Sequence, residues 1–172
     1  MDAIATLDDL AASPEGAAVA GYNDAELVLT AASEKVRRYC GWHVCPVVTE
    51  TVTLDGPGGG LLKLPTLHMT GVTSVVEDGV SLDVSGLEWS EKGLIRKDRW
   101  TRKFRGVTVT FTHGFDSAAV KSIVCRLAIG ALSSPMGVKS ESAGGQSVSY
   151  ESALGAFSAD DLLTLAFYRL EK

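Results

Sequence analysis

The sequence holds little from which to build a redox, metal or membrane protein. Its three cysteines are odd in number and few for 172 residues, so they read as reduced thiols rather than a disulfide framework. Cys40, His43, Cys45 and the distant His68 lack the paired C-x2-C or H-x3-H spacing of a structural zinc site. No metal or other cofactor is expected. No apolar run approaches the ~20 residues of a membrane span, and the best stretch, Ile123 to Leu132, contains Arg126. Met1 to Leu10 is acidic and has no basic segment leading into an apolar one, so no secretory leader is expected. Positive charge is the minority. Sixteen Lys and Arg against 21 Asp and Glu leave a formal charge of −5, which argues against generic polyanion binding but leaves room for a local basic patch. The expectation is a soluble chain with no membrane contact, made and kept in a cytoplasm or assembled there into a particle.

What is present is an ordinary globular composition, 45% hydrophobic and 22% charged, with 18 glycines. A chain of this length buries roughly 70% of its unfolded surface and can close a core unaided. Thr6 to Ala12 suits one or two helical turns, with Asp9 three residues after Thr6, and Ser13-Pro14-Glu15-Gly16 is read as the break after them. Asn23 with Glu26 is a second capping pair. Behind it Ala25, Val28, Leu29, Ala32, Val36 and Tyr39 recur at helical spacing up to Gly41.

From Val47 to Thr112 the period becomes two. Val48, Glu50, Val52 and Leu54 alternate with Val47, Thr49, Thr51 and Thr53. Gly-rich residues 56–60 are read as a hairpin turn, and Asp78-Gly79 between two valine-rich runs is the strongest hairpin signal. Further strands are expected near Leu61–Leu64, Leu87–Trp89, Leu94–Arg96 and Val107–Thr112, forming a small antiparallel barrel or sandwich. Asp116 or Ser117 then caps a helix with the stripe Val120, Ile123, Val124, Leu127, Ala131 and Leu132, stopped by Pro135. Ser158 with Asp161 opens a last helix, on which Leu162, Leu163, Ala166, Phe167 and Leu170 share a face. The expected class is α+β: a small helical bundle with an antiparallel β insertion between its helices. Residues 1–46 and 113–172 form the bundle, and 47–112 the insertion.

Catalytic arrangements are missing. Residues 56–60 lack the Gly-Lys-Ser/Thr that would open a phosphate-binding helix, and no Gly-x-Ser-x-Gly elbow exists. His113 beside Asp116 reads as a half-buried strand end next to a helix cap, not an acid/base pair. An enzyme is not expected.

Two segments stand out. Arg96, Lys97, Arg99, Arg102, Lys103 and Arg105 place six cations in ten residues around Trp100, while Met1 to Lys35 holds seven acids and one base. The basic turn suits a solvated loop, a nucleic-acid contact with Trp100 stacking on a base, or a head-to-tail contact between unlike ends of identical subunits. Residues 137–152 form a polar stretch rich in serine and glycine. They suit a slack linker, or a segment whose strand-like Ser147-Val148-Ser149-Tyr150 adds to a partner's sheet edge.

The order of these segments resembles the head-to-tail connector (head-completion adaptor) proteins of long-tailed bacteriophages, in their actinobacteriophage form. The likeness rests on Val36-Arg37-Arg38-Tyr39-Cys40-Gly41-Trp42-His43-Val44, on Trp89, Gly93-Leu94-Ile95-Arg96 and Trp100, and on Val109 to Phe115 running into a helix. It continues through Ser140-Glu141-Ser142, Gly145 to Tyr150 and the ending Phe167-Tyr168-Arg169, and spans about residues 20–172. The resemblance implies a virion protein at the head–tail interface, assembled in the host cytoplasm as a ring expected to be twelvefold. Its partners would be itself, the portal, and a stopper or tail-completion protein, with genomic DNA passing through the lumen without specific binding. Protein contacts are expected from the basic turn (Arg96, Lys97, Arg99, Trp100, Arg102, Lys103), the polar loop (Glu141, Ser142, Gly144, Gly145, Ser147, Ser149, Tyr150) and the C-terminal helix (Leu165, Tyr168, Arg169). The alternative is a nucleic-acid-binding module using residues 96–105.

Overall fold

The structure, a computed structural model, describes residues 3–133, 140–143, 146–149 and 156–170. It is α+β, as expected. The chain divides into two compact units, one of Met1–Cys40 with Ser117–Arg169, the other of Gly41–Asp116 with Leu170–Lys172.

The first unit is helical. Helix α1 (Leu7–Ala11) opens with a reciprocal cap: the Thr6 hydroxyl accepts the Asp9 N–H at 3.1 Å, and the Asp9 carboxylate accepts the Thr6 N–H at 2.8 Å. Ser13-Pro14 follows the end of α1, as expected, and also starts a second helix. The Ser13 hydroxyl accepts the Gly16 N–H at 3.0 Å and Pro14 occupies the first position of α2 (Pro14–Val19), where its missing N–H costs nothing. Helix α3 (Ala25–Cys40) begins one residue later than the Asn23 cap implied, because the Asp24 carbonyl accepts its first bond, from Val28. It ends at Gly41, which supplies φ +80°. Helix α4 (Ala118–Ser133) is capped by Ser117 rather than Asp116, through the Val120 N–H at 3.3 Å. Leu10, Val19, Leu29, Val36, Val120, Val124, Leu127 and Leu132 form the buried interior against which α3 and α4 pack. Pro135 lies outside the described residues.

Residues 137–152, expected as a slack loop or a strand for a partner, instead contain a hairpin. Strand β8 (Ser140–Ala143) pairs antiparallel with β9 (Gln146–Ser149), Glu141 opposite Val148 and Ser142 opposite Ser147. Helix α5 (Ala159–Ala166) carries the Ser158/Asp161 capping box.

The second unit is a pair of antiparallel sheets. Strands β1 (Val48–Leu54), β7 (Val107–His113), β3 (Met69–Glu77) and β4 (Val80–Leu82) form one, in that spatial order. Strands β2 (Leu61–Lys63), β6 (Leu94–Arg96) and β5 (Glu88–Ser90) form the other. Asp78 and Gly79 both take positive φ, 51° and 85°, the geometry of a tight hairpin between β3 and β4. Leu62, Leu64, Met69, Val75, Ile95, Trp100, Val107, Val109 and Phe111, drawn from both sheets and the segment after β6, form one buried cluster. The unit is therefore sandwich-like. On the opposite, wetted face of β1 and β7, hydroxyls of Thr49 and Thr112, Thr51 and Thr110, and Thr53 and Thr108 meet at 2.7, 2.8 and 3.1 Å.

The glycine run does not close a hairpin. Strands β1 and β2 belong to different sheets, so residues 55–60 cross between them.

Candidate functional site

The crossing glycine run explains how the basic segment is held. Gly56 N–H donates to the Lys103 carbonyl and Gly58 N–H to that of Thr101, while the Lys97 and Trp100 N–H groups donate back to Gly60 and Gly59, all at 2.8–3.0 Å. The two segments lie so close that a Cβ on Gly56 would stand 2.2 Å from the Thr101 carbonyl oxygen, and one on Gly58 2.5 Å from Arg102 Cγ. Gly56 therefore serves close backbone approach, whereas Gly58 supplies a φ of +69° beside the Arg102 side chain. Gly56→Ala should lower the unfolding free energy of the β unit by about 1–3 kcal/mol, read from a urea titration.

This zipping sorts the six cations. The Glu77 carboxylate pairs with Lys97 and also accepts the Thr101 N–H at 2.6 Å. The Lys97 ammonium sits 4.8 Å from the Trp100 ring centroid. Arg96 Nε donates to Glu88 at 2.6 Å, and Lys103 pairs with Asp78 at 3.3 Å. Arg99, Arg102 and Arg105 are exposed and make no ion pair among the described residues. Trp100, expected at an interaction surface, is 1% exposed and belongs to the core. Its ring covers the two-sheet interior and is closed to a stacking base. The aromatic that does face solvent is Phe104, 87% exposed at the tip between Lys103 and Arg105. Arg105 turns this tip outward with φ +52°, its N–H held by Asp55 at 2.7 Å. A lone Phe among cations in an unpatterned loop gives periodicity analysis nothing to catch.

The C-terminal helix is rotated from its expected face. Leu165 is fully buried, and so is Asp161, whose carboxylate caps the helix and pairs with Arg126 of α4. Tyr168 is half-buried with its hydroxyl 3.1 Å from that of Ser117, and the exposed Arg169 guanidinium lies 5.7 Å from the Tyr39 ring centroid. Leu162, Leu163 and Phe167 are left facing outward, the last at 88% exposure. Glu141 and Ser142 lie on β8, Ser147 and Ser149 on β9, while Gly144, Gly145 and Tyr150 fall outside the described residues.

Among the described residues, no group of three His, Cys, Asp or Glu is placed to hold an ion, and no helix is long and apolar enough to cross a membrane. Burial pushes the Cys40 thiol up to about 12. His113, expected half-buried, is fully enclosed against Phe111, Trp42 and His43, with Nε2 2.9 Å from Glu50 Oε1. Burial first, and then the neighbouring His43, depress its pKa to about 4.

No protein-family model and no curated protein matches the sequence. Solved structures do match in shape. A chain from the neck of a native GTA (gene transfer agent) particle, computed with C12 symmetry, superposes with a TM-score of 0.57 at 12% identity. The match covers 100% of this chain and 94% of that one. A chain from the neck of an empty GTA particle, computed with C6 symmetry, gives 0.53 at 17% identity, over 99% and 95%. The protein shares its fold with these neck chains. The likeness runs through both units and reaches the first twenty residues, where the sequence had offered no resemblance.

Proposed function

We propose that this protein is a structural component of the neck of a phage-like particle, a head–tail connector that acts without catalysis. The observation that carries the reading is the end-to-end match to neck chains of phage-like particles, with 94% and 95% of those chains covered. In this role copies of the chain form a closed ring, twelvefold in the finer form of the proposal, in register with the portal and a stopper or tail-completion protein. DNA passes through the lumen without being bound. The formal charge of −5 suits such a conduit, because a wall of cations would grip phosphates and slow passage.

The exposed apolar side of α5 supports a protein contact. Leu163 and Phe167 are 68% and 88% exposed on a helix whose other side is well packed, and such a residue pair is a typical interface anchor. Leu163→Lys with Phe167→Lys should leave the melting temperature within a few degrees of the parent while strongly reducing incorporation into particles. Complementation in producing cells, followed by immunoblotting of purified particles, checks both halves.

The decisive experiment is labelling of native particles with antibody against this chain under the electron microscope. Label at the vertex where tail joins head is the expected result. Absence of the chain from finished particles overturns the role.

A further inference from the structure

The basic tip has its complement in the same chain. On the helical unit, Ala3, Ala5, Leu7 and Leu29 floor an open hollow of about 570 Å³, with Thr6, Asp8, Glu26 and Thr30 at its rim. Ala3 and Leu7 are half-buried and give the floor its open apolar surface over the fully buried Ala5 and Leu29, while Asp8 and Glu26 are exposed and make no ion pair among the described residues. Glu26, Thr30 and Glu34 follow one another at i, i+4 spacing along α3, extending the negative rim down that helix. The tip presents the converse: an apolar ring, Phe104, standing clear of the surface between Lys103 and Arg105, with Arg102 next to it.

We infer that the Arg102–Arg105 tip of one copy seats in the Asp8/Glu26 hollow of a second copy, Phe104 filling the apolar floor and the cations meeting the carboxylate rim. An aromatic anchor in a pocket, ringed by paired charges, is the arrangement that concentrates binding energy in few residues. Duplex DNA offers phosphates but no concave apolar seat, whereas the hollow offers both matching features. Each chain carries one tip and one hollow, so the contact joins unlike surfaces. Repeated head to tail, it closes a ring or runs on as a filament, and exchanged reciprocally between two copies it closes a twofold pair. Taking a second copy as the partner rests on the neck reading above.

Isotope-mixed carbodiimide crosslinking tests the contact even where it is weak. Full-length chains of natural and ¹⁵N composition are mixed, treated with carbodiimide, digested and analysed by mass spectrometry. The expected result is mixed-isotope links from Lys103 to Asp8 or Glu26, falling with added salt. They should drop about tenfold or more in Phe104→Ala, whose melting temperature stays that of the parent because the ring is exposed. Reversing the tip (R102E with R105E) should abolish links to an unmodified rim. Adding D8R with E26R to the mixed partner should restore association, read by sedimentation velocity. Links confined to chains of one isotope, or links indifferent to Phe104→Ala, overturn the inference. So does steep salt-dependent binding of duplex DNA that R102E with R105E removes. The neck reading stands or falls separately, on the particle labelling.

Discussion

Trp100→Ala should cost the β unit about 3–5 kcal/mol, the largest single-residue loss expected anywhere in the chain. The side chain is 1% exposed and packs with Leu62, Leu64, Ile95 and Phe111 where the two sheets meet. Its removal therefore opens a cavity that neither sheet can collapse to fill, because both are tied by their own ladders. The loss extends beyond packing. Lys97 rests over the ring, and Glu77 holds Lys97 and the Thr101 N–H together, so the basic segment loses its anchor along with the core. Trp89, 41% exposed on β5, is the internal control: Trp89→Ala should cost about 0.5 kcal/mol. Urea unfolding followed by circular dichroism separates the two. Equal losses would show that residue 100 is a surface aromatic, as a base-stacking role requires.

Acid should weaken the same unit well above the range where carboxylates usually titrate. His113 is neutral when folded, its pKa depressed to about 4 by burial and the adjacent His43, whereas in the unfolded chain it titrates near 6.5. Between those values the unfolded state holds the extra proton, so stability falls as pH falls. The contribution is fully present above pH ~6.5 and is lost on approaching pH ~4, a total of about 3 kcal/mol from this group. Glu50 works in the opposite sense. Burial raises its pKa, so its folded form takes up a proton first and offsets part of the loss at the acid end. The expected profile is a urea midpoint that drops from about pH 6.5 toward about pH 4, with part of the loss at the acid end offset by Glu50. His113→Phe, which fills the same space among aromatic rings without a titrating nitrogen, should remove the slope. A midpoint constant across that window would show that His113 is solvated or charged in the native state.

Much of this architecture is written in short-range chemistry. Asp78-Gly79 can make only a tight turn of its kind, and the Ser158/Asp161 and Thr6/Asp9 pairs set helix starts that the structure reproduces. Alternation along β1 placed Val48, Glu50, Val52 and Leu54 on one side, and that side is the less exposed one. The same pattern carried Glu50 inward, yet its partner His113 lies on a strand 63 residues away, and no local signal links them. The errors have physical causes of the same sort. Ser13-Pro14 was read only as the end of the first helical turns, whereas the serine before the proline also makes it the start of α2. The run at 56–60 was read as a turn because glycine permits turns, but here it permits two backbones to touch. On α5, counting apolar residues pointed to Leu162, Leu163, Ala166 and Phe167. The buried Asp161, which caps the helix and pairs with the exposed Arg126, lies on the same inward side as Leu165 instead.

The candidate site was half legible. Clustering of cations identified the segment, since charge is visible in composition. Which cations are spent internally depends on Glu77, Asp78 and Glu88, and these come near only through sheet register.

One rung of the β1–β7 ladder joins Val48 to His113, so the first and last strands of the β unit run side by side and its two ends leave through neighbouring positions. A cassette with adjoining ends asks no more of its host than a short loop would. Lineages can thus lengthen, trim or replace such a cassette while the helices that carry it keep their places.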